Sequence, residues 1–534
     1  MSPVPRTSPT QLRPTSRVGR SRHRARHLTP RRLASALAAC SLLTLSLRPS
    51  GELHAQTLPT GLNVVQGQVT VGTVGAAMTV TNSPNSILNW NSFSIGAQNS
   101  VRFDQQSATS QVLNRVVGND PSAILGSLSS NGKVWLLNQN GVLFGRGARV
   151  DVAGLVTSTL NLNDTDWLAG RYSFTSLAGS AGANVLNQGE LRTSLGGRIA
   201  LLGGNVSNEG LIDTAGGQVV LAAGKSIELV DTGSPNLSVR VTAPLGETLN
   251  LGTLSAAGGR IDLHAATVNQ SGIVRANSIS QGAAGEVVMR ATTALNLTAG
   301  SSTEAAGAQG GKLSLDAGDA GRLLISGNVS ANGTEGSGGQ IELLGRQVGL
   351  IDQAHVDASG RSGGGQVLVG GGQEGKDASV RNAEAVYLGP TASISADATG
   401  AGNGGRIILW SDHATRAYGS LSARGGALGG NGGFIETSGG WLDARPALID
   451  VEAPHGRSGT WLIDPYNLVI SDTLFIFNVN SDPTESVFTA AGPIAQLRTS
   501  NIVSALNKGT NVVISTGGAA GDEVGNITLN SASA

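Results

Sequence analysis

The sequence predicts an all-β chain wound as a parallel β-helix, a solenoid of stacked coils. Three observations carry that prediction. A Gly-Gly corner followed by a short aliphatic strand recurs from residue 196 onward, with most successive spacings between 20 and 28 residues. Within each unit apolar residues alternate with a period of two, as in Arg198, Ile199, Ala200, Leu201, which turns one side of a strand inward. Composition supplies the third: 77 of 534 residues are Gly, aromatics make up 3% and charged residues 13%. Such a chain is too poor in large side chains for several separate cores, but it can fill one thin continuous core.

The N-terminal 55 residues read as a signal peptide. An Arg-rich stretch, residues 6–32, precedes an apolar segment, residues 33–47 (LASALAACSLLTLSL), which is too short to span a bilayer. Leu53, His54 and Ala55 form a small-residue site, so cleavage is expected between Ala55 and Gln56. Leu37 to Cys40 spell a lipoprotein-type box, but the apolar stretch continues past Cys40 and is nearly absent before it, which favours ordinary cleavage. Cleavage after Ala55 removes the one cysteine, leaving a mature chain without disulfide or thiol nucleophile. The formal charge of zero hides an asymmetry. Residues 1–55 hold ten Arg and one Glu, and the body keeps 26 basic and 35 acidic residues. An acidic body argues against nucleic-acid binding, which needs a basic face.

From residue 56 to about 85, Val64, Val65, Val69 and Val71 alternate with polar residues. This is the pattern of strands that begin a stack and cover its first edge. In residues 89–152, Val134 to Leu137 and Val142 to Phe144 form two strand-length runs. Asn138, Gln139, Asn140 and Gly141 separate them, a turn signal whose Asn and Gly tolerate positive φ.

The repeat is plainest at VLNQGELRTSLGGRIALLGGN and VSNEGLIDTAGGQVVLAAGKS, where Asn187 matches Asn208 and Gly189 matches Gly210. From Gly197 to Gly433 the corner spacings are 20, 42, 26, 26, 28, 26, 40 and 28. The two long ones suggest doubled periods with an unmarked corner. A period of this size with β alternation means a solenoid of roughly twenty coils. The Leu-x-x-Leu-x-Leu frame of leucine-rich repeats and tandem calcium-binding nonapeptides are absent. Residues 460–534 still read as strands and turns, and the pattern stops without a polar cap, so a truncated chain is expected.

Residues 89–152 also resemble the secretion domain of filamentous-haemagglutinin-type proteins, the exported members of bacterial two-partner secretion systems. The matching text is NWNSFSIG, VRFDQ, VLNRVVG, Pro121 and Ser122 before Ile124, and NGKVWLLNQNGVLFG. The family's Asn-Pro-Asn-Gly turn stands here as Asn138, Gln139, Asn140, Gly141; Gln in place of Pro removes a preset φ. Residues 404–439 and 459–470 resemble the stretch that follows the secretion domain in large adhesins of this type. The resemblance implies a right-handed parallel β-helix, threaded unfolded through an outer-membrane β-barrel transporter whose periplasmic domains recognise the secretion domain. It implies export to the cell exterior or retention at the Gram-negative cell surface, and a role as adhesin or binding scaffold toward host or bacterial surface molecules. The divisions expected are signal peptide 1–55, capped secretion domain 56–300, β-helical repeats 301–460 and further repeat-like strands 461–534.

Parallel β-helices also host polysaccharide lyases and hydrolases, so an enzyme is the competing reading. Catalysis there needs carboxylates gathered on one face of adjacent coils, whereas Asp213, Asp316 and Asp352 are spread over corners. His264, His355, His413 and His455 lack paired ligand spacing. Ser411, Asp412 and His413 are consecutive and cannot converge as a triad. Trp135, Trp410 and Trp461 fit core or edge packing better than sugar stacking. The reading is therefore non-enzymatic, with no cofactor or metal.

Overall fold

The computed structural model describes residues 58–177, 182–230, 236–278, 285–445, 447–472, 488–489, 494–516 and 525–530. The signal segment, with its expected cleavage between Ala55 and Gln56, lies outside the described residues.

Alternating aliphatic strands of three to six residues cannot bury their apolar side alone, and here they do so by stacking in register. Each coil contributes one strand to each of three sheets, as in Arg198–Gly203, Asn205–Asn208 and Leu211–Asp213. In the first sheet Ile199 pairs with Val219, Val219 with Ile261 and Ile261 with Val287, all in parallel. The sheets hold 19, 15 and 15 strands among the described residues. Inward side chains such as Ile199, Leu201, Val206 and Ile212 are fully buried and join one core cluster running from Met78 to Ala505. Each contributes about 1.5–3 kcal/mol of burial, and the fold is the parallel β-helix expected.

The Gly-Gly corners join the third sheet to the first. Their second glycines form a column in which a side chain has no room. A Cβ at Gly365 would lie 2.1 Å from Gly339 O, one at Gly405 2.1 Å from Gly365 O, and one at Gly433 2.1 Å from Gly405 O. Close approach of stacked backbones, more than positive φ, is what demands glycine here.

The two long spacings need correction. Gln218 pairs directly with Arg260, and Gln366 with Arg406, so each spacing spans one coil rather than two. The extra residues leave the helix as excursions. In the first, strand Gln218–Val230 runs past the sheet and pairs antiparallel with Ser238–Pro244. In the second, residues 370–382 carry a short 3-10 turn, Gln373–Gly375. Among the described residues the second and third sheets hold fifteen strands each, about fifteen coils instead of roughly twenty, and these insertions account for two of the difference.

The excursions cover the outer side of the first sheet. Strand Tyr172–Thr175 and the helix Asp164–Leu168 join the Gln218–Val230 hairpin there. Trp167, Phe174, Ile227 and Leu229 bury Trp135, Ala200 and Val220 in a second apolar cluster. That is why Arg198–Gly203 is buried on both sides, while Lys312–Asp316, beyond this cover, alternates buried and half-buried.

At the start of the stack Asn63–Gln66 pairs antiparallel with Ser86–Trp90, and Val69–Val74 forms a hairpin with Ala77–Asn82. Near the other end, helix Thr499–Asn507 interrupts the strand-and-turn pattern read over 460–534. Asn501 Nδ2 donates to Ala447 O at 3.0 Å, and Ile502 and Ala505 pack against the main core.

Candidate functional site

The turn at Asn138–Gly141 connects strand Lys133–Leu137 of the first sheet to Val142–Phe144 of the second. Gly141 N donates to Asn138 O at 3.2 Å, closing the turn. Asn138 Oδ1 accepts from Asn140 N at 2.9 Å, an Asx turn in which the side chain imitates backbone. Gly141 has φ +121°, with nothing closer than 3.6 Å to a Cβ built there. Its constraint is therefore conformational, not spatial.

Asn138 is the centre of this corner and is 1% exposed. Its Nδ2 donates to Asp120 O at 2.9 Å and to Ser122 Oγ at 3.0 Å, both on the preceding coil. Its backbone N donates to Ser158 O on the following coil at 2.9 Å. Asn140, exposed, donates through Nδ2 to Gly118 O at 2.9 Å. Gln139 is half-buried, and its N–H makes no hydrogen bond in the described structure. The turn thus ties three coils together.

The other matching segments gather around it. Ser122 N donates to Gly141 O at 3.0 Å, and strand Ser122–Ile124 pairs with Val142–Phe144. Asn114, fully buried, accepts from Trp90 Nε1 at 2.9 Å and donates to Trp135 O at 3.2 Å. Phe93 stacks on Phe103 with ring centroids 6.3 Å apart. Sequence reasoning marked these stretches separately, but missed Asn114 and Ser122 as the polar links between them.

A buried amide ladder follows in the next coils. Asn187 Nδ2 donates to Asn208 Oδ1 at 2.8 Å, Asn208 Nδ2 to Asn250 Oδ1 at 2.8 Å, and Asn250 Nδ2 to Gln270 Oε1 at 2.7 Å. The Asn187–Asn208 repeat signals it in the sequence. Asn250 is hidden because an excursion stretches its spacing to 42 residues, and Gln270, 20 residues on, because the residue type changes.

The groups weighed for chemistry stay apart. Asp213 ends a third-sheet strand, Asp316 ends a first-sheet strand and pairs with Arg381 at 2.6 Å, and Asp352 sits at a second-sheet corner with φ +53°. Among the described residues no group of three or more His, Asp or Glu side chains is placed to hold a metal. Ser411 Oγ bonds Thr415 Oγ1 at 2.8 Å, while Asp412 accepts from Trp410 Nε1 and Asn382 Nδ2. Trp135, Trp410 and Trp461 are 4%, 3% and 0% exposed, packed inside apolar clusters.

Asp262, Glu436, Asp443 and Asp464 are buried carboxylates that escaped the sequence reading, and the first two show opposite shifts. Burial works against ionisation of Asp262, but His264 and Arg260 outweigh it and hold its carboxyl below the usual range. Arg260 binds it at 2.8 Å; His264 Nε2, at 3.7 Å, is too distant for a hydrogen bond, so Arg260 is the stronger partner. Glu436 lies under the 370–382 excursion and accepts from Glu374 N at 3.0 Å. Burial, with further repulsion from Glu374 and Asp464, pushes its carboxyl up to about 7.

The TPS secretion domain profile matches residues 55–343. Two curated relatives are heme/hemopexin-binding proteins of Haemophilus influenzae. One is 33% identical over 224 residues, 41% of this chain and 24% of that protein. The other is 38% identical over 130 residues, 24% of this chain and 14% of that protein. The chain therefore spans a quarter or less of these relatives' lengths. Among solved structures, the HMW1 secretion domain from Haemophilus influenzae superposes with a TM-score of 0.61 at 30% identity, covering 76% of this chain and 100% of that one.

Proposed function

This chain belongs to the TPS secretion domain family, and on that premise we propose that it leads an exoprotein through an outer-membrane β-barrel transporter bearing periplasmic recognition domains. It is a secreted chain, extracellular or associated with the cell surface. Once outside, the stacked coils serve as an adhesin or binding scaffold for host or bacterial surface molecules. The relatives, heme/hemopexin-binding proteins, support a binding role over catalysis for the longer protein.

The observation that carries this reading is the Asn138 corner. Asn138 joins its own turn to the preceding and following coils, so the corner can form only as neighbouring coils dock. Folding that nucleates here and spreads from coil to coil would help draw the chain outward. A chain with one cysteine, lost with the signal segment, presents no disulfide to obstruct a pore.

The test is export with Asn138→Leu or Gly141→Val. Asn138→Leu leaves Asp120 O, Ser122 Oγ and Asn140 N without their partner; Gly141→Val forces a β-branched residue to φ +121°. Secretion in the presence of the transporter is expected to fall at least about tenfold, the equivalent of roughly 1.4 kcal/mol. Wild-type amounts of either variant in the culture supernatant would remove the corner from the export mechanism.

A further inference from the structure

The third sheet begins on an open edge. Strand Val69–Val74 pairs with Ala77–Asn82 on one side, and Ala77–Asn82 pairs in turn with Ser100–Asp104. Among the described residues no strand pairs with the other side of Val69–Val74, which ends that sheet. Gln68 O accepts from Ser83 N at 2.9 Å. By the alternation of an antiparallel pair, Val69, Val71 and Thr73 then turn their backbone N–H and C=O groups away from Ala77–Asn82. The side chains at this rim are apolar. Val71 lies opposite Val80, and Val64 opposite Leu88. Val80 and Leu88 are fully buried core residues, whereas Val64 and Val71, with no coil stacked beyond them, stay 40% and 42% exposed. Val74 is 84% exposed.

Natural edge strands are guarded by charge, proline or a bulge, and the end coils of solenoids by a polar face. Val69–Val74 has no proline and pairs without a bulge. It also lacks charge, because residues 56–101 contain no Asp, Glu, Lys or Arg. From the next coil onward the third sheet carries Arg102 and Asp104, Arg149 and Asp151, and Glu190 and Arg192. The body's 26 basic and 35 acidic residues therefore all lie beyond this first edge. Two copies meeting side by side bring like net charge together. Copies meeting at the first edge join uncharged surfaces and leave the acidic coils on opposite sides of the contact. We propose that the occupant of this edge is a second copy of the exported chain. Val69–Val74 of the two copies pair antiparallel across a two-fold axis, so the third sheet runs from one stack into the other and Val71 is covered. Identical edges satisfy each other's backbone groups in that arrangement. Residues 58–76 of each copy supply about the twenty residues a side of a standard interface. The contact is independent of the Asn138 corner and of the export route.

The test is sedimentation velocity on the full chain purified from culture supernatant. A monomer–dimer equilibrium is expected, with a dissociation constant on the order of 1–10 µM. Raising salt to about 0.5 M should preserve or tighten the dimer, since it screens the acidic bodies and meets no ion pair at the edge. Val71→Lys places a guarding charge in the middle of the strand and is expected to weaken association at least about tenfold. Val74→Lys, at a largely exposed position, should do the same and serves where Val71→Lys is not exported. Leu428→Lys, an exposed site in a distant coil, should leave the dissociation constant within about threefold. A chain that stays monomeric up to about 100 µM would overturn the proposal. So would dimers that persist in the folded lysine variants at residues 71 and 74, or dimers that dissociate on adding salt. A chain monomeric alone that binds the transporter's purified periplasmic domains through this edge would also overturn it, and would assign the edge to that partner.

Discussion

Replacing Gly365 with alanine tests whether the corner column holds the coils together. The added Cβ would stand 2.1 Å from Gly339 O and 2.9 Å from Ala358 O. Relieving the first overlap needs about 1 Å of extra separation between coils that stand about 4.8 Å apart. The bond from Gln366 N to Gly339 O, now 2.9 Å, would stretch to about 4 Å and cease to be a hydrogen bond. The bond from Gly365 N to Ala358 O, at 2.8 Å, is strained by the same movement. Two buried backbone groups left unmade cost about 1–3 kcal/mol each, so the expected destabilisation is about 2–6 kcal/mol. Gly72→Ala is the control: nothing lies within 4 Å of its Cβ and its φ is not positive, so its effect should stay within about 0.5–1 kcal/mol. Urea unfolding should be read together with amide exchange in strands Gln340–Leu344, Gln366–Val369 and Arg406–Leu409, because stacked coils open locally. If Gly365→Ala matches Gly72→Ala in both measurements, tight stacking is not what requires the glycine.

Three further outcomes follow from the geometry. Gln139→Pro restores a preset φ at a position whose N–H is unused, and should stabilise the corner by about 0.4–1 kcal/mol in denaturant titration; a loss of stability would mean that the φ of Gln139 is unsuited to proline. Asn208→Leu removes an inner rung of the amide ladder, leaving Asn250 Oδ1 without its donor and Asn187 Nδ2 with only the long bond to Gly189 O, and should cost about 2–5 kcal/mol. Glu436 carries a pKa raised to about 7 by burial, so the folded state holds its proton more tightly than the unfolded chain. Its share of stability is full below the unfolded value near 4.5 and falls as pH rises through about 7. Amide exchange in the 370–382 excursion should therefore quicken from pH 6 to pH 8 beyond the intrinsic base catalysis, and Glu436→Gln should remove that excess.

How much of this was legible in the sequence follows from which contacts are periodic. The β-helix was readable because Ile199, Val219 and Ile261 each sit at the same offset from a Gly-Gly corner, and stacking in register places equal offsets in contact. The turn was readable because Asn138, Asn140 and Gly141 are short-range choices made within four residues. The aromatic cover was not, since Trp167, Tyr172 and Phe174 lie in an excursion with no repeat of its own, and their partner Trp135 looks like any strand residue. Two later excursions, within 217–259 and 365–405, stretched the spacing to 42 and 40 residues, which a strictly periodic reading can interpret only as missing corners. Glu436 was illegible for a related reason: its neighbour Glu374 lies 62 positions earlier, and only the excursion brings the two together. Where a solenoid sequence departs from its own period, added chain is thus the better inference than a lost corner. Here the added chain covers the first sheet's outer side and buries Trp135, Ala200 and Val220.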